Sequence, residues 1–185
     1  TGFVSSTNTA DLDFETNQDD ILTIVAYDDQ DTRLTDTTQL LITILDVNER
    51  PAAFDSVFNI VENRPVGFEI SPRLVANDTD AVQTLTYYEV GTNTLVDIDA
   101  ATGQITVEDS AFFNFEQTTQ TIFQYEVRDG GTPELRDTAF ITINIIDENE
   151  TPLFTQATYT VNIEENSVAG THLMNVLALE QDSNQ

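Results

Sequence analysis

The sequence predicts an all-β protein of tandem seven-stranded antiparallel β-sandwiches, Greek-key connected and Ig-like in architecture. Three observations predict it. Apolar residues alternate along short runs, as in Ile141, Ile143 and Ile145 against Thr142 and Asn144. Clusters of Gly, Pro, Asp and Asn separate those runs, and no segment shows a helical period. The chain also repeats itself at a spacing of 101 residues: Thr1-Gly2 returns as Thr102-Gly103, Phe14-Glu15 as Phe115-Glu116, and Asp28 as Asp129. Asp46-Val47-Asn48-Glu49-Arg50-Pro51 returns as Asp147-Glu148-Asn149-Glu150-Thr151-Pro152. A fixed period of this length marks an array of like domains.

The spacing divides the chain into the C-terminal part of one repeat (1–50), a complete repeat (51–151) and the N-terminal part of a third (152–185). It reads as a window on a longer protein. In the complete repeat the first strands are expected at 54–61 and 68–76, parted by Arg64-Pro65-Val66-Gly67. Asn77-Asp78-Thr79-Asp80 makes the next break, before strands at 84–90, 95–98 and 104–107. Ala101-Thr102-Gly103 supplies the turn between the last two. A sixth strand carries Phe123, Tyr125 and Val127 inward and Gln124 and Glu126 outward; Asp129-Gly130-Gly131-Thr132-Pro133 ends it. The seventh spans 139–146, and its counterpart places Leu40, Ile42 and Ile44 inward. Phe112, Phe113 and Phe115 precede the sixth strand and are expected to cap a sandwich end. A repeat of about 100 residues buries an adequate core without staples. Its architecture is that of a sandwich without an Ig-type Cys–Trp–Cys core, because the chain has neither Cys nor Trp.

Composition narrows the function. The net charge is −27, and all six basic residues are Arg. Such a surface does not suit nucleic acid or direct contact with an anionic membrane. No apolar run reaches the ~18 residues of a membrane helix. The absence of Cys excludes disulfides and thiolate metal sites and leaves an extracellular location open.

The carboxylates stand at strand ends. Glu62 ends the first strand, Asp78 and Asp80 follow the second, Asn114 and Glu116 precede the sixth, and Asp129 ends it. Asp147, Asn149 and Glu150 follow the seventh. Stacking repeats head to tail would bring Asp13, Glu15, Asn48 and Glu49 onto Asp78, Asp80 and Asp129. Clustered carboxylates repel unless a cation sits among them. An all-oxygen donor set without His or Cys suits Ca²⁺, with its 6–8 oxygens, better than Mg²⁺, which retains water.

The string Asp-x-Asn-Glu-x-Pro, twice, resembles the inter-repeat linker of the cadherin superfamily, usually Asp-x-Asn-Asp-x-Pro. Leu12-Asp13-Phe14-Glu15 is similar to that family's Leu-Asp-x-Glu motif. Val61-Glu62-Asn63 and Glu164-Glu165-Asn166, followed by Val66-Gly67 and Ala169-Gly170, resemble its Glu-Asn…Gly repeat start. Ala76-Asn77-Asp78-Thr79-Asp80 resembles its Ala-x-Asp-x-Asp loop, and Asp129-Gly130-Gly131-Thr132-Pro133 its Asp-Gly-Gly-x-Pro loop. The resemblance covers the whole chain and implies extracellular repeats with about three Ca²⁺ at each junction. Carried over, the first junction uses Asp13, Glu15, Asn48 and Glu49, carbonyls at Val47 and Arg50, and Asp78, Asp80 and Asp129. The second uses Glu62, Asn114, Glu116, Asn149 and Glu150, carbonyls at Glu148 and Thr151, and Glu180 and Asp182. Asp28 serves a junction further upstream.

Four positions depart from the family pattern. Glu49 and Glu150 replace Asp, Asn114 replaces Asp, and Glu180 replaces the first Asp of the paired-Asp loop. The second junction is accordingly expected to bind calcium more weakly, or to hold fewer ions. The loop after Asp80 lacks the usual Gly-Asn, so Gln83 or Thr84 is left to offer the carbonyl ligand there.

The implied function is a calcium-rigidified rod segment of a cell-surface adhesion or tethering protein, with a homophilic or heterophilic partner. The alternative is a calcium-dependent bacterial-type adhesin or secreted filament subunit. Catalysis is not expected: metal binding accounts for the carboxylates, and His172, near Ser167 and Glu165, reads as a surface or core histidine. Asn77-Asp78-Thr79 and Asn149-Glu150-Thr151 match the glycosylation acceptor pattern, the second in competition with a ligand role for Asn149.

Overall fold

The computed structural model describes residues 12–28, 30, 34–92 and 94–182; Thr1-Gly2, the first half of one repeated pair, lies outside them. Contacts group these residues into two compact units. One takes the chain up to Ala53 with Val75–Thr86 and Glu126–Thr138. The other takes Phe54–Leu74, Tyr87–Tyr125 and the chain from Ala139 onward.

In the first unit, β1 (Asp19–Tyr27) pairs with β2 (Thr35–Thr43) in an antiparallel hairpin running from Asp19↔Thr43 to Tyr27↔Thr35. Leu40, Ile42 and Ile44 are half-buried while Leu41 and Leu45 are exposed, as the alternation predicts. β3 (Ala52–Ala53) pairs antiparallel with β6 (Ala76–Asn77), and the extended segment 44–51 joins β2 to β3.

The second unit contains β4 (Ser56–Val61), β5 (Glu69–Ile70), most of β7 (Thr86–Glu89), β8 (Val96–Ile98) and β9 (Ile105–Val107). It also holds the larger parts of β10 (Gln120–Arg128) and β11 (Arg136–Ile146). One sheet has the order β4-β11-β10-β7 and another the order β5-β9-β8. Phe58, Ile60, Tyr125, Ile141, Ile143 and Ile145 are buried from the first, and Ile70, Val96, Ile98, Ile105 and Val107 from the second. These two inner faces form the core of a β-sandwich. Among the described residues every regular element is a strand.

Two features differ from the expected pattern. β4 pairs with β11 in parallel, from Ser56↔Ile141 to Val61↔Ile146, because the first strand runs beside the last after the whole repeat has intervened. The strand expected at 68–76 is two strands in different sheets, β5 and β6. Pro72 lies between them and has no N–H to give a ladder. There the chain turns inward instead: Leu74 is buried, and its N–H donates to the Gly103 carbonyl at 2.9 Å. Gly103 sits at φ +70°, where a Cβ would press on Leu74 and Tyr87 at 3.1–3.3 Å, so the turn requires glycine. Phe113 is fully buried, with Phe112 edge-on to it at 5.6 Å.

The last described strands, β12 (Leu153–Phe154) and β13 (Ala178–Leu179), pair Leu153↔Leu179 as β3 and β6 pair Ala52↔Asn77.

Candidate metal centres

The two linkers, 46–51 and 147–152, are built alike. In the first unit the Glu49 N–H donates to Asp80 Oδ2 at 3.0 Å; in the second the Glu150 N–H donates to Asp182 Oδ2 at 3.1 Å. Each linker thus lays its backbone on the second acid of an Ala-x-Asp/Glu-x-Asp loop, and both acids are at least nine-tenths buried.

Three carboxylate groups converge around these contacts. Glu15, Asp46 and Asp80 bring one oxygen each within 4.8 Å of one another in the first unit. In the second unit Glu62, Glu116 and Asp147 form one such triad, and Glu116, Glu150 and Asp182 another. Glu62 is fully buried. Its Oε1 accepts the Glu148 N–H at 2.9 Å and its Oε2 the Phe115 N–H at 2.7 Å, which fixes the carboxylate between the linker and the 113–118 turn.

The carboxylates crowd one another. Loss of water around Glu150, with Asp182, Glu62 and Glu116 beside it, raises its pKa to about 7. Desolvation likewise pushes Asp147 up, with Asp182 and Glu62 adding to it, and pushes Glu49 up with Glu15, Asp80, Asp46 and Asp13. Asp78 is raised by burial and by the charges of Asp80 and Asp129. Asp129 goes the other way. Burial works to raise it, but the Leu135 and Gly131 amides and the Asn48 side chain hold it below the ordinary carboxylate value. Asp78 Oδ2, Glu150 Oε2 and Asp182 Oδ1 are buried with no hydrogen-bond partner. An unpartnered buried carboxylate oxygen is costly, and a cation among such oxygens removes the cost. The all-oxygen triads therefore fit a hard divalent ion of the Ca²⁺ type.

Not every residue expected at these sites lies in a triad. Asp13 and Asn114 occupy equivalent positions and cap equivalent turns. Asp13 Oδ1 accepts the Glu15 N–H at 3.1 Å, and Asn114 Oδ1 accepts the Gln117 N–H at 3.0 Å. Asn48 bonds to Asp129 and Pro133. Asp129 accepts the Gly131 and Leu135 amides, and Asp28 accepts the Gln30 amide in the hairpin turn. Asp78 Oδ1 accepts the Asp80 N–H. The Glu148 side chain pairs with Arg64 at 3.2 Å. Asn149 contacts only its neighbour's carbonyl among the hydrogen bonds described, Glu180 Oε1 accepts the Gln181 N–H, and Val47 and Arg50 are exposed. His172 bonds to Asn175 at 3.0 Å on the surface.

Asp46 and Asp147 were not among the expected ligands, yet each stands in a triad. The signal was present: they open the two copies of the linker string, 101 residues apart.

Comparison with known proteins places these features in context. The chain is 31% identical over 157 residues to human Protocadherin Fat 1, covering 81% of this chain and 3% of that protein. It is 31% identical over 184 residues to the mouse Cadherin EGF LAG seven-pass G-type receptor 3, covering 95% of this chain and 6% of that one. The chain thus spans only a few per cent of the length of these relatives. Among solved structures it resembles Protocadherin Gamma B7 extracellular cadherin domains 1-4, with TM-score 0.62 and 27% identity over 92% of this chain and 42% of that one. It also resembles the human Desmocollin-1 ectodomain, with TM-score 0.58 and 27% identity over 94% of this chain and 34% of that one. No family model matches.

Proposed function

We propose that this chain of cadherin-type extracellular repeats is a rod segment stiffened by Ca²⁺ at its linkers, within a cell-surface adhesion or tethering protein. The repeats run 1–50, 51–151 and 152–185 in this reading. The observation that carries it is the pair of matching contacts, Glu49 on Asp80 beside one carboxylate triad and Glu150 on Asp182 beside two.

At the first linker Glu15, Asp46 and Asp80 would hold calcium, with Asp13, Asn48, Glu49, Asp78 and Asp129 around them and carbonyls at Val47 and Arg50. At the second, Glu62, Glu116, Asp147, Glu150 and Asp182 would do so, with Asn114, Asn149, Glu180 and the carbonyls of Glu148 and Thr151. Asp28 would serve a linker upstream. The family resemblance implies three ions per linker. Bound calcium supplies the positive charge that lets these acids stay ionised side by side. Without it their repulsion opposes the contact between linker and loop.

The partners of such a segment are neighbouring repeats of its own chain and a homophilic or heterophilic protein on another surface. Small-angle scattering in millimolar calcium and then in chelator tests the reading. The expected result is a longer, better-defined maximum dimension with calcium. Superimposable profiles would overturn it.

A further inference from the structure

We propose that Asn77 is a modification site: it carries an N-linked oligosaccharide on the solvent side of the loop that holds Asp78 and Asp80.

The chain matches the acceptor pattern Asn-x-Ser/Thr at Asn77-Asp78-Thr79 and at Asn149-Glu150-Thr151. The fold treats the two differently. Asn77 ends β6 and pairs with Ala52 of β3. Residues directly opposite in an antiparallel ladder lie on the same face, so the cross-strand neighbour of Asn77 offers only a methyl group. Asn77 and Thr79 are both exposed. No hydrogen bond among the described residues engages the Asn77 carboxamide. Burial alternates around it, with Ala76 and Asp78 half-buried on either side. Asp78 turns its carboxylate into the loop: Oδ1 accepts the Asp80 N–H and Oδ2 is buried. A substituent on the outward-facing Asn77 nitrogen leaves both of those oxygens in place. At Asn149 the nitrogen instead donates to the Glu150 carbonyl at 3.4 Å. A sugar there would stand in the linker itself, beside Asp147 and Glu150 of the two triads.

An extracellular repeat passes through a secretory compartment, where the sugar is added to the extended chain before these strands pair. Asn77 Nδ2 forms a bond to the anomeric carbon of an oligosaccharide carried on a lipid pyrophosphate. The bond from that carbon to the pyrophosphate oxygen breaks. The lipid pyrophosphate leaves with the bonding pair, and the amide nitrogen gives up one proton. Folding has then only to leave the product room. A glycan is bulky and solubilising, so it needs a surface position. The exposed end of a strand, opposite an alanine, provides one.

The test is secretion of the 185-residue chain from cultured animal cells behind a signal peptide, followed by glycopeptide mass spectrometry with and without peptide N-glycosidase. The expected result is a glycopeptide containing Asn77 whose sugar the enzyme removes, converting the freed asparagine to aspartate. Asn77→Gln and Thr79→Ala should each lose that sugar, and Asn149→Gln should keep it. Thr79→Ala retains the asparagine itself, so its loss of sugar ties the modification to the acceptor pattern. Should a variant fail to be secreted, the Asn77 peptide of the unaltered chain decides alone. Recovery of that peptide wholly unmodified, with or without sugar at Asn149, overturns the proposal.

Discussion

At Glu62 a fully buried carboxylate is tied to two backbone amides and stands among other acids. Glu62→Ala would leave the Phe115 and Glu148 amides without their acceptor. The expected loss is about 2–4 kcal/mol in calcium, since a hydrogen bond to a charged group is worth roughly 1.5–3 kcal/mol and water can meet part of the need of the exposed Glu148; urea unfolding measures it. Glu62→Gln keeps one acceptor and should lose less. Glu150 makes a prediction about pH. Its pKa is raised from an ordinary 4.5 to about 7, so without calcium the folded chain binds a proton that the unfolded chain releases. Its contribution to metal-free stability therefore falls as pH rises from about 4.5 through about 7. Calcium reverses the slope, because the ion needs the ionised form: affinity at the second linker should drop as pH falls from 8 to 6. Calorimetric titrations at several pH values should show proton release on binding, and Glu150→Gln should abolish that part of it. An unchanged proton count in the variant would remove Glu150 from this role. Residue identity alone suggested that Asn114 weakens the second linker by one charge. In the fold, that position and Asp13 both accept a backbone amide at equivalent turns, a bond Asn makes as Asp does, so the negative charge is what the substitution removes. Asp46 and Asp147 open the two copies of the linker string, but their approach to Asp80 or Glu62 is set by chain folding, which the string alone does not show.

Strand pattern was the most legible level. β1 and β10 begin and end 101 residues apart, and β2 and β11 begin 101 apart, so the repeat in letters is a repeat in hydrogen bonding. The spacing then slips between β3 and Asn63, a stretch that includes β4. Asn63 and Asn166, both with φ near +60°, stand 103 apart, and so do Gly67 and Gly170; β6 and β13 begin 102 apart. Asp182 still reaches the linker, as Asp80 does, although it stands 102 residues on. Alternation also predicts which strand positions matter. Ile143 is fully buried and Ile146, three residues on in the same strand, is 45% exposed. Ile143→Ala should cost about 2–5 kcal/mol and Ile146→Ala well under half of that. Equal costs in denaturant unfolding would contradict the assigned inner face. Less legible were the parallel β4–β11 pairing and the splitting of 68–76, since both are set by which strand lies next in space. Period-2 alternation carries no information on that.

Across the whole molecule a charge of −27 sets ion binding against self-repulsion. In chelator, the acids of each linker repel one another and the rest of the chain, and added salt screens this. The Debye length falls from about 10 Å at 0.1 M to about 3 Å at 1 M, so the melting temperature in chelator should rise with NaCl. In calcium the same salt weakens the attraction between the ions and their carboxylates, so the melting temperature should fall toward the chelator curve. Calcium at about 100 times its dissociation constant adds about 2.7 kcal/mol per independent site. That gap should be widest at low ionic strength and close as salt is added. A generic acidic surface without sites would show the rising slope in both conditions and little gap between them. Opposite slopes, one in chelator and one in calcium, require ions bound among the carboxylates rather than condensed loosely around them. Melting curves at four or five salt concentrations, each with and without chelator, separate the two cases.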